Sequence, residues 1–584
     1  MRLPTFLEAT PPWATLAGGF LFSLTLLLGL TLFGWMYTPL IALALIPLTL
    51  GLGLAIVHLI HSKDWTILTL LILLAGVAWF NLSGEVPSIF TGRDQGSIAE
   101  ASWRLAENHQ LTWSNPATQA FFDIYGPGTA LNFPGFAYTE SGALITQFPL
   151  GYTAWLAGFV GWLGLSGYWV ANGILFIIAG FTFFELLSLS VRRLLATIGT
   201  ALLSLTFLPI WMLHYTLSEH LALALFLIIT YALIRWRDQP THTLWYVLTL
   251  LSASLFIFTR IEGFVVLSLV TFIAIGTRSL RTFLLEKIWL RLTLPLVILG
   301  FLFLRDFFIN LPYYTMIGKA VVKNWQELSL WGEAVATPHA TSESIFAIFS
   351  LYGLLTLFIL GSFGIMLAFW KEKRQSLLVL ILALPTFVYL IDAHITPDHP
   401  WMLRRYYFTL WPTFVFFAIL FWHWCEERYT YLRNRRATLF LVTAIVFIHF
   451  APAWAVWQMD EHTPLLGETV RLAERVSGHD LLLVDRLASG DPFRLLSGPL
   501  SFLFGKQAVY FFNPEDLDRL PLDTFERVFL LTSHEQSETL PTSWSERLIE
   551  RETFLFSSAT VTAKDRTPQN TIKETQATLF ELKR

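Results

Sequence analysis

The sequence has a single cysteine, Cys425, and charged residues fill only 14% of its 584 positions. One cysteine excludes an intramolecular disulfide and any metal site built from cysteines. Soluble domains carry about 25% charged residues, so the shortage of charge excludes an ordinary water-soluble globule. There is no basic excess: the net charge is −3, which removes nucleic-acid binding as a theme. No GxGxxG or P-loop pattern appears, so a nucleotide site has no support. No fixed-period repeat and no low-complexity tract is visible.

Apolar sequence fills the space these absences leave. Hydrophobic residues make up 54% and aromatics 16%, with a mean hydropathy of +0.57. About 20 apolar residues cross a bilayer. Candidate spans fall near 13–35, 38–60, 65–82, 168–190, 196–213, 219–235, 243–258, 262–277, 291–308, 346–370, 376–391, 405–424 and 437–457. The first, Trp13–Trp35, has neither a strong basic flank nor a small-residue cleavage site, so it reads as retained. The apolar stretch Phe148–Leu163, rich in Gly and Trp and starting around Pro149, is expected to lie on or dip into the outer face.

Lys and Arg set the orientation, because inner loops of membrane proteins are enriched in them. With the N-terminus inside, the inner loops hold Lys63; Arg192 and Arg193; Arg235 and Arg237; Arg278, Arg281 and Lys287; Lys371, Lys373 and Arg374; and Arg428, Arg433, Arg435 and Arg436. Among the basic clusters between spans, only Arg404–Arg405 falls outside. The expectation is a multi-pass protein of the cell membrane with a cytoplasmic N-terminus. Residues 1–459 form its membrane domain, with a first large outer loop at 83–167. Residues 460–584 change to soluble composition, with strand-like runs near 480–485, 507–513 and 527–532, and read as a small outer α/β domain.

Ionisable groups at the outer span ends are the informative ones, since charge near lipid is costly unless something compensates it. Asp94 lies in Thr91-Gly-Arg-Asp-Gln-Gly96, ahead of a helical stretch through Leu105. Glu219 lies in Thr216-Leu-Ser-Glu-His220, and Arg260 and Glu262 in Thr259-Arg-Ile-Glu-Gly263. The loop Asp392-Ala-His-Ile-Thr-Pro-Asp-His-Pro400 leads to Arg404-Arg405-Tyr406. Each has a plainer reading. Asp94 would cap its helix, Glu219 and Arg260 would pair to join two hairpins, and Arg404–Arg405 would snorkel to headgroups. Asp392, His394, Asp398 and His399 would form a solvated loop, with a divalent-metal site as the sharper reading.

In this order and on this side, the motifs resemble the GT-C superfamily of membrane glycosyltransferases, notably bacterial relatives of the protein O-mannosyltransferase and aminoarabinose transferase branch. The residues that carry the resemblance are Gly92–Gly96, Gln147-Phe-Pro-Leu-Gly151, Leu217–His220, Thr259–Gly263, and Arg405-Tyr406 ahead of Pro412, across roughly residues 83–425. Many relatives show a paired acidic motif where this chain has Asp94-Gln95, and two additional spans between Pro39 and Leu82 precede the loop. The fold implied is a polytopic α-helical membrane protein, GT-C-like, with about 13 transmembrane helices and a small C-terminal α/β extracytoplasmic domain.

The resemblance also implies a hexosyl or pentosyl transferase. Its donor would be a sugar on a polyprenyl phosphate, and its acceptor a protein, lipid or glycan at the outer face. Asp94 would be the general base, with Glu219 the next candidate. Arg93, Gln147, Arg260, Glu262, Arg404, Arg405 and Tyr406 would bind substrate. Arginine suits the lipid phosphate because its planar fork pairs two oxygens and stays charged. No cofactor is certain; a divalent metal stays open, with Asp94, Asp392, His394, Asp398 and His399 as candidate ligands. Tyr125, Tyr152, Trp155 and Tyr406 would stack on sugar faces or anchor at the interface. The competing readings are a transporter or flippase, and a ligase or polymerase of surface glycans. Transporters usually show two similar halves and helices broken at the midplane. Glycan ligases commonly carry their long outer loop late in the chain.

Overall fold

In the computed structural model, which describes residues 11–83, 86–286, 293–329, 344–393, 395, 398–429, 443, 447, 448, 450–457, 459–533, 546–563 and 568–583, five helices are long and apolar enough to cross a membrane. They are Pro12–Phe33, Thr38–His61, Trp65–Leu82, Ser166–Ser188 and Glu219–Asp238. Four bent helix pairs pass the same test together, giving up to nine spans among the described residues. The chain is thus a multi-pass, mostly helical protein. Three of the roughly thirteen spans expected from composition appear as shorter apolar helices, Thr243–Ile257, Leu355–Trp370 and Gln375–Leu390. The expected span at 437–457 is described only in part, and Lys287, His394, Arg433, Arg435 and Arg436 lie outside the described residues.

Close helix packing uses small residues, which let backbones approach. Gly361 and Gly364 seat the helix Leu355–Trp370 against Leu410–Arg428; a Cβ on Gly364 would stand 2.0 Å from the Phe417 carbonyl. Packing decides against one of the two placements expected for the apolar stretch at 148–163. The 14-residue helix Leu150–Leu163 does not lie on the outer surface; Leu150 through Val160 are all buried. It is enclosed by Pro12–Phe33, Asp94–Asn108 and Ser166–Ser188. A helix apolar on every side suits lipid and protein core alike, and here core wins.

Polar contacts separate the two ends of the bundle. At one end Arg193 meets Asp64 at 2.8 Å, Arg192 meets Glu426 at 2.6 Å, and Gln375 donates to Asp238 at 2.9 Å. Residues 86–167 and the C-terminal residues occupy the other end. The loop holds the helices Asp94–Asn108 and Pro116–Tyr125 and an antiparallel sheet of β1 (Gly128–Thr129), β2 (Phe136–Tyr138) and β3 (Leu144–Thr146). Asn115 and Thr118 cap the second of these helices reciprocally.

The C-terminal sheet has the order β5-β4-β6-β8-β7. Strands β4 (Leu481–Asp485), β5 (Gln507–Phe511) and β6 (Val528–Ser533) run parallel, within a residue or two of the runs expected from sequence. A long antiparallel hairpin, β7 (Leu548–Thr562) and β8 (Gln569–Leu582), completes one side. This sheet and the first outer loop share an apolar core. Trp113, Phe121, Phe133 and Phe136 from the loop cluster with Leu481, Val509, Phe511 and Leu530. Hydrogen bonds cross the same boundary, from Arg104 to Ser501 at 2.8 Å, Asn132 to Tyr510 O at 2.7 Å and Tyr125 to Asp516 at 2.5 Å.

Candidate functional site

The helix that begins at Asp94 does so because Gly96 allows it to press against the preceding loop; a Cβ there would lie 2.0 Å from the Phe90 carbonyl. Thr216 fixes the loop to the start of the Glu219 helix, its hydroxyl donating to Ser88 O at 3.0 Å and to Gln95 O at 2.7 Å. Asp94 does not cap its helix. Its Oδ2 lies 2.6 Å from Arg404 Nη1, so the carboxylate is spent on a residue far away in sequence.

From Arg404 the chain of charge continues. Arg404 Nη1 lies 3.4 Å from Glu219 Oε1, and the same oxygen lies 2.9 Å from Arg260 Nη1. Arg260 grips Glu262 with two donors, Nη2 at 3.0 Å and Nε at 3.2 Å. Tyr389 closes the chain with a 2.5 Å hydrogen bond to Glu262 Oε1. The arginine side chains of this chain and Glu219 and Glu262 are less than a tenth exposed, whereas Asp94 is 38% exposed. Four segments that sequence placed on one side therefore meet in one network: Asp94, Glu219, Arg260 with Glu262, and Arg404.

Arg405 stands apart from its neighbour. Among the described residues it has no carboxylate partner; its guanidinium lies 5.4 Å from the centre of the Tyr389 ring, and its Nε is buried without a hydrogen bond. Glu219 Oε2 and Arg404 Nε are likewise buried and unpartnered among the described residues. Burial pushes the Asp94 carboxyl up, but the charge and hydrogen bond of Arg404, with Arg405 and Arg260 behind them, outweigh that and hold it below the ordinary carboxylate range.

The remaining candidates divide. Arg93 leaves the ionic chain and pairs with Asp398 at 2.5 Å, between the rings of Phe493 and Trp401. Gln147 bonds only through its backbone, to Gly135 O at 3.0 Å. Tyr406 spends its hydroxyl on Tyr389 O at 2.9 Å, and Tyr152 on Asn172 at 2.6 Å; Trp155 is buried in helix packing, with its Nε1 on Ala171 O. None of these last three has a side-chain hydrogen bond to the network's carboxylates or arginines among the described residues. Tyr389 and Trp401 do touch the network, and sequence reasoning passed them by. Trp401 had a usable signal: it precedes Arg404 by three residues, one turn away, and the Arg404 guanidinium lies 4.3 Å from its ring centre.

The described residues do not fit a metal. No three His, Cys, Asp or Glu among them are placed to hold one. Asp398 is taken by Arg93, and His399 Nδ1 sits 2.9 Å from the Tyr352 hydroxyl. Asp392 lies in the same loop, and His394 is outside the described residues.

No family model and no curated protein matches this sequence. Among solved structures the chain is similar to the archaeal oligosaccharyltransferase AglB from Archaeoglobus fulgidus, in complex with an inhibitory peptide and a dolichol-phosphate. The TM-score is 0.51 at 12% identity, covering 81% of this chain and 70% of that one. A second structure of the Archaeoglobus fulgidus oligosaccharyltransferase, in complex with Zn and sulfate, aligns with a TM-score of 0.49 at 11% identity over 80% of this chain and 68% of that one. The first likeness shows that the two chains share a fold.

Proposed function

We propose that this chain is a membrane glycosyltransferase that moves a hexosyl or pentosyl unit from a polyprenyl-phosphate donor to an acceptor at the outer face of the cell membrane. The observation that carries the reading is the chain Asp94–Arg404–Glu219–Arg260–Glu262, buried except at Asp94, with Arg405 beside it and lacking a carboxylate among the described residues. An isolated cation near lipid is costly, and a lipid-borne phosphate is the anion that would meet it there. The AglB structure, which shares the fold, holds a dolichol-phosphate. The one-sided distribution of Lys and Arg supports a cytoplasmic N-terminus, with the network and the C-terminal sheet outside.

In this mechanism Arg405, with Arg404 next to it, takes the phosphate oxygens and stabilises the charge that grows as the sugar–phosphate bond breaks. Asp94 receives the proton of the acceptor hydroxyl as that oxygen bonds to the sugar. A base works best with a pKa near the working pH, and Asp94 paired to Arg404 is weak. A phosphate that draws Arg404 toward itself would relieve the pairing and strengthen the base where the acceptor arrives.

Purified full-length protein in lipid nanodiscs should bind polyprenyl monophosphate. Arg405→Ala should weaken that binding about 10–100-fold, the worth of hydrogen bonds to a charged group. Arg405→Lys should restore only part of it, since the fork geometry is lost. Equal affinity in wild type and Arg405→Ala, or no binding by wild type, would sink the reading.

A further inference from the structure

Beside the ionic network, between the first outer loop, the turn at Asp398–Trp401 and the C-terminal sheet, lies a cavity of about 230 Å³. It shares a wall with the network. Arg93 and Gln95, which line it, flank Asp94 in sequence, and Trp401 carries the Arg404 guanidinium at 4.3 Å and that of Arg93 at 4.5 Å. Drug-sized pockets run roughly 300–1,000 Å³, so this one has room for a single ring-sized unit.

Its lining narrows the chemistry. Trp211, Tyr215 and Trp401 form an aromatic wall, with ring centres 4.9 Å, 6.4 Å and 6.5 Å apart, and Phe493 stands under Arg93 at 3.8 Å. Three buried polar atoms of the lining are unpartnered among the described residues: Arg93 Nη1, Arg494 Nη1 and Gln95 Oε1. Buried polar atoms without partners are costly, which marks this wall as polar and not fully satisfied from within. The charges themselves are already answered, Arg93 by Asp398 and Arg494 by Glu461. The cavity therefore presents N–H donors from its arginines, acceptors from its amide and carboxylates, and flat aromatic faces, without an excess of positive charge. An anion gains little there. A neutral ring bearing hydroxyls, which donate and accept along its edge and present C–H groups on its faces, matches all three.

We propose that this cavity holds a carbohydrate unit of the acceptor, so that the acceptor is a glycan and not a polypeptide. The word acceptor rests on the glycosyltransferase reading; the binding itself does not. The test uses the full chain in nanodiscs with photoreactive methyl glycosides of a hexose and a pentose. A Ser/Thr-containing peptide of similar size serves as competitor, and crosslinks are mapped by mass spectrometry. Labels should fall on peptides containing Arg93–Gln95, Trp401, Phe493–Arg494 or Thr560. Thr560→Tyr, which fills the cavity from β7, should cut labelling at least about tenfold and leave polyprenyl-phosphate binding unchanged, as expected when a ring-sized site is occluded. Gln95→Ala removes an oxygen that has no internal partner, so it should fold and should lower labelling by a factor of about 5–10. Labels elsewhere, labelling indifferent to both variants, or displacement by the peptide and not by free glycoside would overturn the proposal. Glycoside capture in the cavity by a protein that does not bind polyprenyl phosphate would keep the cavity and reject the donor reading.

Discussion

At the Asp64 end of the bundle two arginines each meet a single acid, Arg193 with Asp64 and Arg192 with Glu426; the arginine side chains are 59% and 40% exposed and the acids 15% and 4%. At the Asp94 end the pairs are branched and shielded, with Glu219 shared by Arg260 and Arg404 and only 1% exposed. Exposed pairs are worth about 0–1 kcal/mol and ask little of the fold, because water still solvates both partners. A buried network requires several charges to leave water, and well-packed apolar side chains often stabilise as much or more. Struts are therefore built like the Asp64 end. The Asp94 end has the construction of a place where charge is wanted for something else.

Asp94→Asn is the strongest way to break that contrast. The variant keeps the shape and a hydrogen bond to Arg404 but removes the proton acceptor, so transfer from a polyprenyl-phosphate sugar should fall about 10²–10⁴-fold, with donor binding and folded yield retained. Near-normal turnover would make the network one more set of struts and pass the base role to Glu219.

Acid separates chemistry from structure at the same end. His462 is buried, stacked on Phe90 beside Glu461, at the junction with the C-terminal residues. Burial, opposed by the Glu461 charge, lowers its pKa to about 4, against about 6.5 for a free histidine. Between those values the unfolded chain binds the additional proton, so stability falls as pH drops through that window, by roughly 3 kcal/mol in all. Melting temperatures of wild type and His462→Gln should converge near pH 4 after differing near pH 7; parallel profiles would reject a buried neutral imidazole. Asp94, held below the ordinary carboxylate range, loses its stabilising charge only at pH values beneath this window.

The smallest effect belongs to the other end. Arg193→Ala should cost less than about 1 kcal/mol and leave transfer unchanged. A larger loss, read by urea or thermal unfolding, would place both ends in one class and remove the contrast.

The contrast was partly legible in the sequence, because charge is conspicuous in an apolar chain. Asp94, Glu219, Arg260 and Arg404 stood out for that reason, and three C-terminal strands were marked by short β-branched and leucine runs. What local pattern did not carry was pairing. Nothing near Arg404 distinguishes it from Arg405, yet one is bound to Asp94 and Glu219 and the other has only a tyrosine face. Tyr389 and Trp401 hid among aromatics that make up 16% of the chain. Leu150–Leu163 was misplaced because composition does not tell lipid from a protein interior. The sharing of one core by the first outer loop and the C-terminal strands had no local signal at all.

That shared core also sets an order in time. Phe121, Phe133 and Phe136 emerge from the ribosome early, while Leu481, Val509 and Leu530, against which they pack, are made several hundred residues later. Synthesis proceeds at about 5–20 residues per second, so for tens of seconds these loop aromatics lack the strand residues they pack against. A partly synthesised chain can occupy the membrane, but it has not yet assembled the surroundings in which Asp94 is held against Arg404.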